Sequence, residues 1–225
     1  MIGLILVASG LGSRLKSGTP KQFLSLAGVP TYLHSLRTLS PLCQESVVVV
    51  PDEWVDRVSE EVKTISASES IIVRSGGTTR QQSVLRGFDC LDTRISRVIV
   101  HDAARPFVTA DLAQRTIQGL SSAAACIPGI KVAETVKSVQ SGLVSNTLNR
   151  SNLRLIQTPQ AFQKSVLARA FESASTGENL TKATDEATLV EALGEKVLVI
   201  EGDRRNVKIT WKEDWEMAVE KDRIF

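Results

Sequence analysis

The sequence predicts an α/β fold: a doubly wound, mostly parallel sheet with a protruding β-hairpin arm. Three observations predict it. Short apolar runs rich in β-branched residues recur at 2–8, 46–50, 70–73, 97–100 and 197–200, and helical patterns fill the intervals. Such alternation is what a parallel sheet with covering helices requires. The first run stops abruptly at a glycine-rich turn, SGLGSRL from Ser9, the kind of turn that meets ligands at the carboxyl edge of an open α/β sheet. One segment breaks the rhythm. Residues 131–150, KVAETVKSVQSGLVSNTLNR, alternate apolar and polar positions about Gln140, Ser141 and Gly142, which is a hairpin signal.

Each element follows from local chemistry. Residues 2–8 carry no lysine or arginine before the apolar run and are too short for a secretion signal, so they read as a first strand. After the strand at 46–50, Asp52 behind Pro51 is expected to cap a helix over 53–65, with Trp54, Val55, Val58 and Val62 on one face. After the strand at 70–73, Thr78 or Thr79 can cap a helix opened by Arg80 and Ser83, with Val84, Leu85 and Phe88 inward. Thr109 precedes a helix over 110–120, and a polar turn at 178–184 precedes another over 185–192. An isolated two-stranded ribbon is marginally stable. The arm at 131–150 is therefore expected to pack on something, a second subunit being the favoured partner, which predicts a homodimer.

The 225 residues suit one domain spanning 1–225, with the arm as its only appendage. Lysine and arginine number 27 against 25 aspartate and glutamate, a formal charge of +2. That balance gives no polybasic signature, and no nucleic-acid partner is expected. Cys43, Cys90 and Cys126 are odd in number and lack a C-x-x-C pair, which fits reduced thiols in a cytoplasmic setting. No run approaches the apolar length of a spanning helix, so no membrane partner is expected. His34 and His101 are the only histidines, which excludes a multi-histidine metal site.

The glycine turn has the form of a phosphate cradle. Gly10 and Gly12 lack β-carbons, so backbone amides there can approach an anion, and Arg14 and Lys21 add charge that dipoles alone do not supply. No Gly-Lys-Ser/Thr tripeptide occurs, which excludes a Walker A loop, and Leu15 stands where the dinucleotide fingerprint needs its third glycine. HDAARPF, from His101, starts where the run at 97–100 ends. Asp102 there can hold Mg²⁺ against substrate phosphates, and Arg105 can contact a phosphate. The competing structural reading makes Asp102 a helix cap paired with Arg105. In SGGTTRQQS, from Ser75, Gly76 and Gly77 permit close backbone approach, and Ser83 can offer its hydroxyl to a base or ribose. Lys208, in EGDRRNVKIT, would by itself be a solvated surface charge.

In this order the segments ASGLGSRL with PKQ, GG-x-x-R-x-x-SV, HDAARP, TPQ from Thr158, TDE from Thr184 and NVKIT from Asn206 resemble the 2-C-methyl-D-erythritol 4-phosphate cytidylyltransferase family, a group with a Rossmann-like nucleotidyltransferase fold. The resemblance spans nearly the whole chain. It implies that Ala8, Ser9, Gly10 and Gly12, with Arg14 and Lys21 as catalytic cations, cradle the triphosphate of CTP. Gly77, Ser83, Asp102 and Ala103 would face the nucleoside or its Mg²⁺. Arg105, Thr184 and Lys208 would receive methylerythritol phosphate, while Thr135 and Arg150 would reach a partner subunit's site. Ser9 stands where the family more usually has alanine, and Thr78 where some members carry an acid.

Three other readings stay open at this level. A ribitol 5-phosphate cytidylyltransferase shares most of these motifs, although Ala104 makes HDAARP rather than that branch's HDAVRP. A relative transferring another nucleotide to a sugar phosphate would keep the same loop. A catalytically inactive nucleotide-binding regulator would keep the fold, yet it could dispense with cations that act only in the transition state.

Overall fold

The computed structural model describes residues 1–10, 18–65, 70–175 and 183–222. The chain opens with β1 (Ile2–Val7), makes a short ribbon of β2 (Ser25–Leu26) and β3 (Val29–Pro30), and enters α1 (Thr31–Leu39). Next come β4 (Glu45–Val50), α2 (Val55–Val62), β5 (Ser70–Ser75), α3 (Arg80–Asp89), β6 (Arg97–Asp102) and α4 (Ala110–Gln118). Then follow β7 (Ala125–Lys131), β8 (Val136–Gln140), β9 (Leu143–Leu148), β10 (Arg154–Ile156) and β11 (Gln160–Gln163). The chain ends with α5 (Lys164–Ser175), α6 (Glu186–Ala192), β12 (Val197–Glu201) and α7 (Lys212–Asp222).

The main sheet has eight strands, ordered β10-β7-β11-β6-β1-β4-β5, with β12 also paired to β7. β6, β1, β4 and β5 are mutually parallel, so Asp102, Val7, Val49 and Arg74 fall in one register row at the carboxyl edge. β11 runs antiparallel to β6 and β7, and β12 runs parallel to β7. The sheet is thus mostly parallel with antiparallel insertions on the β7 side. Successive β1 residues face opposite layers, because strand side chains alternate. Leu4 and Leu6 pack with Val48 and Val50 under α1, α2 and α4. Ile5 and Val7 pack with Val47 and Val49 under α3, α5 and α6. Leu4, Ile5 and Leu6 are fully buried, each worth about 2 kcal/mol of transfer free energy, which makes β1 the rigid base of the loop that follows it.

Several boundaries differ from the sequence expectations. Asp52 makes no capping bond. It opens a 3-10 turn (Asp52–Trp54), and α2 begins only at Val55. The helix expected to end at residue 120 stops at Gln118, and Gly119–Ser121 form a 3-10 turn. Thr79, Thr109 and Asp185 do cap, accepting from the amides of Gln82, Leu112 and Thr188. The turn at 178–184 lies mostly outside the described residues.

The arm is an antiparallel pair, β8 with β9, reversed through Ser141 and Gly142, both in the left-handed region at φ of 51° and 81°. Lys131 belongs to β7 rather than to the arm, and Thr135 and Arg150 sit at its base. Arg150 donates to the Ala133 carbonyl. Val139, Leu143, Val144 and Leu148 on the arm are exposed, as are Leu155 and Ile156 on β10 and Val199 on β12.

Candidate functional site

Where β1 ends, the loop is held from beneath. The Ala8 amide donates to the Val49 carbonyl at 2.7 Å, continuing the ladder one residue past the strand. Buried Gln22 then donates from Nε2 to the carbonyls of Ala8 (2.6 Å) and Gly10 (2.8 Å). Gln22 sits in a 3-10 turn, Lys21–Phe23, whose Phe23 ring stacks on Trp54 with centroids 3.9 Å apart. This seat brings Lys21 to the same cleft as Ala8, Ser9 and Gly10. Gly12 and Arg14 lie outside the described residues.

The turn between β5 and α3 forms a second wall. The Gly76 amide donates to the Val50 carbonyl at 2.7 Å. Ser83 is fully buried. Its Oγ accepts from the Gly77 amide at 3.0 Å and from the Ser9 hydroxyl at 2.8 Å, and donates to the Thr79 carbonyl at 2.9 Å. Ser83 therefore ties the two glycine loops together and does not present its hydroxyl to the cleft. A β-carbon on Gly76 would lie 2.5 Å from Ser9 Cβ, so only glycine fits beside this serine.

At the carboxyl end of β6 a chain of alternating charges crosses the site. Asp102 Oδ1 accepts from Arg80 Nε at 3.0 Å, and Asp102 Oδ2 accepts from Lys208 Nζ at 2.6 Å. Arg80 Nη1 also donates to both oxygens of fully buried Glu186, at 2.8 and 2.9 Å. Burial by itself would raise the Asp102 carboxyl, but Arg80 and Lys208 outweigh it and hold the group well below the usual carboxylate range. Burial pushes the Glu186 carboxyl up, with Arg80 working against it. Desolvation opposes the Arg80 charge, and its two carboxylate partners more than restore it. Asp102 is therefore hydrogen-bonded to Arg80 and Lys208 and not to the Arg105 side chain, against the competing structural reading, and Lys208 is not a lone solvated charge. Lys208 is anchored because the segment before it is stitched down. Asn206 Nδ2 donates to the Thr158 carbonyl at 2.8 Å, and the Ile209 amide donates to the Ala104 carbonyl at 2.8 Å.

His101 holds the turn after β6. The Asp102 amide donates to Thr158 Oγ1 at 3.1 Å, and Thr158 Oγ1 also lies 3.1 Å from His101 Nδ1, while Nε2 faces the Arg105 carbonyl, which can only accept. The imidazole is thus assigned its proton on Nε2, which donates to the Arg105 carbonyl at 3.2 Å. Burial lowers the His101 pKa to about 4, so it is neutral and structural near neutral pH. The Arg105 side chain turns toward the C-terminal segment. Its Nη1 donates to the Asn206 carbonyl at 2.8 Å, and its Nε is buried without a partner among the described residues. Burial lowers its pKa, against the pull of Asp102.

The cleft between these walls has a volume of about 640 Å³. It gathers Ala8, Ser9, Gly10, Lys21, Gly77, Asp102 and Lys208 of the expected site residues. Ser83, Ala103, Arg105, Thr135, Arg150 and Thr184 are not among its lining; Ser83 and Ala103 are buried, and Thr135, Arg150 and Thr184 are exposed. Arg80, Arg86 and Gln22 line the cleft without having been assigned a site role from sequence. The GG-x-x-R and TDE motifs did contain Arg80 and Glu186, but nothing in their spacing reveals that they meet. Among the described residues no group of three or more histidine, cysteine, aspartate or glutamate side chains could hold a metal ion by itself. No described helix is long and apolar enough to cross a membrane.

A glycine-walled, lysine- and arginine-lined cleft at the carboxyl edge of a doubly wound sheet defines an α/β nucleotidyltransferase-type protein. The more particular assignment comes from comparison with known proteins. Residues 2–220 match the model of the family described as 2-C-methyl-D-erythritol 4-phosphate cytidylyltransferase, and the chain belongs to that family. A relative of that name from Carboxydothermus hydrogenoformans is 37% identical over 221 residues, covering 96% of this chain and 93% of the relative. One from Acidobacterium capsulatum is 36% identical, covering 96% and 94%. The crystal structure of 4-diphosphocytidyl-2C-methyl-D-erythritol synthase from Anaerococcus prevotii superposes with a TM-score of 0.87 at 30% identity, covering 99% of this chain and 98% of that one.

Proposed function

We infer that this protein is a cytidylyltransferase that joins CTP to 2-C-methyl-D-erythritol 4-phosphate, giving 4-diphosphocytidyl-2-C-methyl-D-erythritol and pyrophosphate for isoprenoid biosynthesis. The observation that carries this reading is the cleft itself, where Lys21 and Lys208 meet the two glycine walls and Asp102. An acceptor phosphate oxygen attacks the α-phosphorus of CTP. A new P–O bond forms, the bond from that phosphorus to the bridging oxygen breaks, and pyrophosphate leaves. The nucleophile is already anionic, so no general base is required, in keeping with a site whose only nearby histidine, His101, is buried and neutral. The work of the site is alignment and the stabilisation of charge on the bridging and leaving oxygens.

In this reading Ala8, Ser9, Gly10 and Gly12 present backbone to the triphosphate, with Lys21 and Arg14 as the catalytic cations. Gly77, supported by Ser83, and the Asp102–Ala103 segment serve the nucleoside side. Lys208, Arg105 and Thr184 receive the acceptor phosphate. Mg²⁺ typically takes one or two protein carboxylates together with phosphate and water oxygens, and Asp102, lining the cleft and kept ionised by its cationic neighbours, fits that requirement. When bound, the ion would neutralise phosphate charge. Thr135 and Arg150 act on the site of a second copy, a dimer reading supported by the exposed apolar residues of the arm and of β10. Three cysteines without a disulfide support a cytoplasmic setting.

The test is pyrophosphate release by Lys21→Ala with CTP and methylerythritol phosphate. Turnover should fall roughly 10²-fold or more, the usual cost of one preorganised charge-stabilising group. Near-normal turnover in a folded variant would remove Lys21 from the mechanism.

A further inference from the structure

The peptide between Gly76 and Gly77 is gripped at both ends from one face of α3. Its N–H, on Gly77, donates to Ser83 Oγ at 3.0 Å. Its C=O, on Gly76, accepts from Arg86 Nη1 at 2.6 Å. Residues three apart on a helix share a face, so Ser83 and Arg86 form a two-point clamp on a single peptide plane. A peptide flanked by two glycines otherwise rotates with little steric restraint. Its N–H is held by Ser83, which is not among the cleft lining, and its C=O by Arg86, which is, so the clamp keeps the acceptor edge of the peptide on the cleft side. Gly76, Gly77 and Arg86 line the cleft alongside Pro51 and Asp52, at the ends of β4 and β5. This is the side away from Lys208, which approaches Asp102 at the end of β6.

We propose that Arg86 is a positioning residue for the nucleotide: by fixing the orientation of the Gly76–Gly77 peptide it sets affinity for the nucleoside and discrimination between bases, and leaves the acceptor phosphate end unaffected. The proposal deepens the cytidylyltransferase reading and rests on it for the identity of the nucleotide. Cytosine and uracil differ at N3 and at the exocyclic group, where donor and acceptor are exchanged. A wall whose donor and acceptor pattern is locked distinguishes them, and one that can flip does not. Ser83 holds the N–H with a neutral hydroxyl. Arg86 holds the C=O with a charged donor, the stronger type of hydrogen bond.

The experiment is steady-state kinetics of Arg86→Ala and Arg86→Lys with CTP, UTP and the acceptor varied separately, beside calorimetric titration with CTP. For Arg86→Ala the KM and Kd for CTP should rise about 5- to 10-fold, the size of one ordinary hydrogen bond, because the Arg86 bond acts on the nucleotide only through the peptide it fixes. The CTP-over-UTP preference should narrow by a similar factor. The acceptor KM and kcat should stay within about twofold. Lysine, whose ammonium can reach the same carbonyl, should lie between. An unchanged CTP KM, or an equal rise for nucleotide and acceptor, would overturn the proposal. If the alanine variant does not fold, Arg86→Lys and Arg86→Gln are judged by the same split between the two substrates. If the unaltered protein prefers another nucleotide or acceptor, the cytidylyltransferase reading falls, and the clamp is judged on the KM of the nucleotide actually used.

Discussion

Glu186→Ala should destabilise the protein by about 3 kcal/mol, because removing one partner of a buried ion pair leaves an uncompensated charge whose cost is about 3–5 kcal/mol. Glu186 has no solvent exposure, and both of its oxygens accept from Arg80 Nη1 at 2.8 and 2.9 Å. The lower end of the range applies here. Arg80 keeps Asp102 at 3.0 Å, and its side chain retains 23% exposure through which water can solvate part of the stranded charge. For a chain of this length each kcal/mol moves the melting temperature by about 2–4 °C, so a fall of about 6–12 °C is expected. Glu186→Gln keeps the volume and one acceptor, and should lose roughly half as much. Urea titration followed by circular dichroism measures the free energies, and a fall below about 1 kcal/mol for the alanine variant would refute the reasoning.

Other substitutions probe separate parts of the structure. His101 is neutral when folded, with its pKa lowered from 6.5 to about 4, so the unfolded chain takes up a proton first as pH falls. Its contribution to stability is complete above pH 6.5 and is lost as pH falls toward 4, up to about 3 kcal/mol across that interval. His101→Gln should lower stability at pH 7 but flatten this part of the pH profile, and an unchanged slope in denaturant titrations would contradict the assignment. Gly76→Ala should cost about 1–3 kcal/mol from overpacking against Ser9 and Ser83, with partial recovery in the double variant carrying Ser9→Gly. Arg150→Ala should impair use of the acceptor, and mixing it with Lys21→Ala should restore some activity if sites are shared; proven heterodimers without rescue would remove the shared site.

Much of this fold is legible in the sequence because its central strands are continuous apolar runs. Residues 2–8 and 46–50 carry their burial on both faces, and a turn or a proline marks where each stops. The β7 side is less legible. Pro128 and Gly129 break the apolar sequence pattern of β7 although the strand runs through them, β10 is only three residues long, and both depend on pairing with strands distant in sequence. The same distinction holds in the site. Gly10 and Asp102 stand out because each lies at or just past the end of a strand that is contiguous in sequence, and Lys21 because it follows the same glycine-rich turn behind Pro20. The Arg80–Glu186 pair joins residues 106 positions apart, the first residues of α3 and α6, which meet only in the folded chain. Asp52 illustrates the opposite error. A carboxylate after Pro51 has the chemistry of a cap, but the backbone turns 3-10 and leaves that side chain lining the cleft. The contacts of Arg105 are as hidden as the Arg80–Glu186 pair, because the carbonyls that hold its guanidinium, at 156 and 206, lie far from it in sequence.

The most direct measurement is pyrophosphate release with CTP and Mg²⁺, comparing methylerythritol 4-phosphate with ribitol 5-phosphate and including ATP, GTP and UTP. Release fastest with CTP and methylerythritol phosphate, with the cytidine diphosphate product identified by mass, is the expected result. Preference for ribitol phosphate, or pyrophosphate release with neither acceptor, would contradict the proposed function.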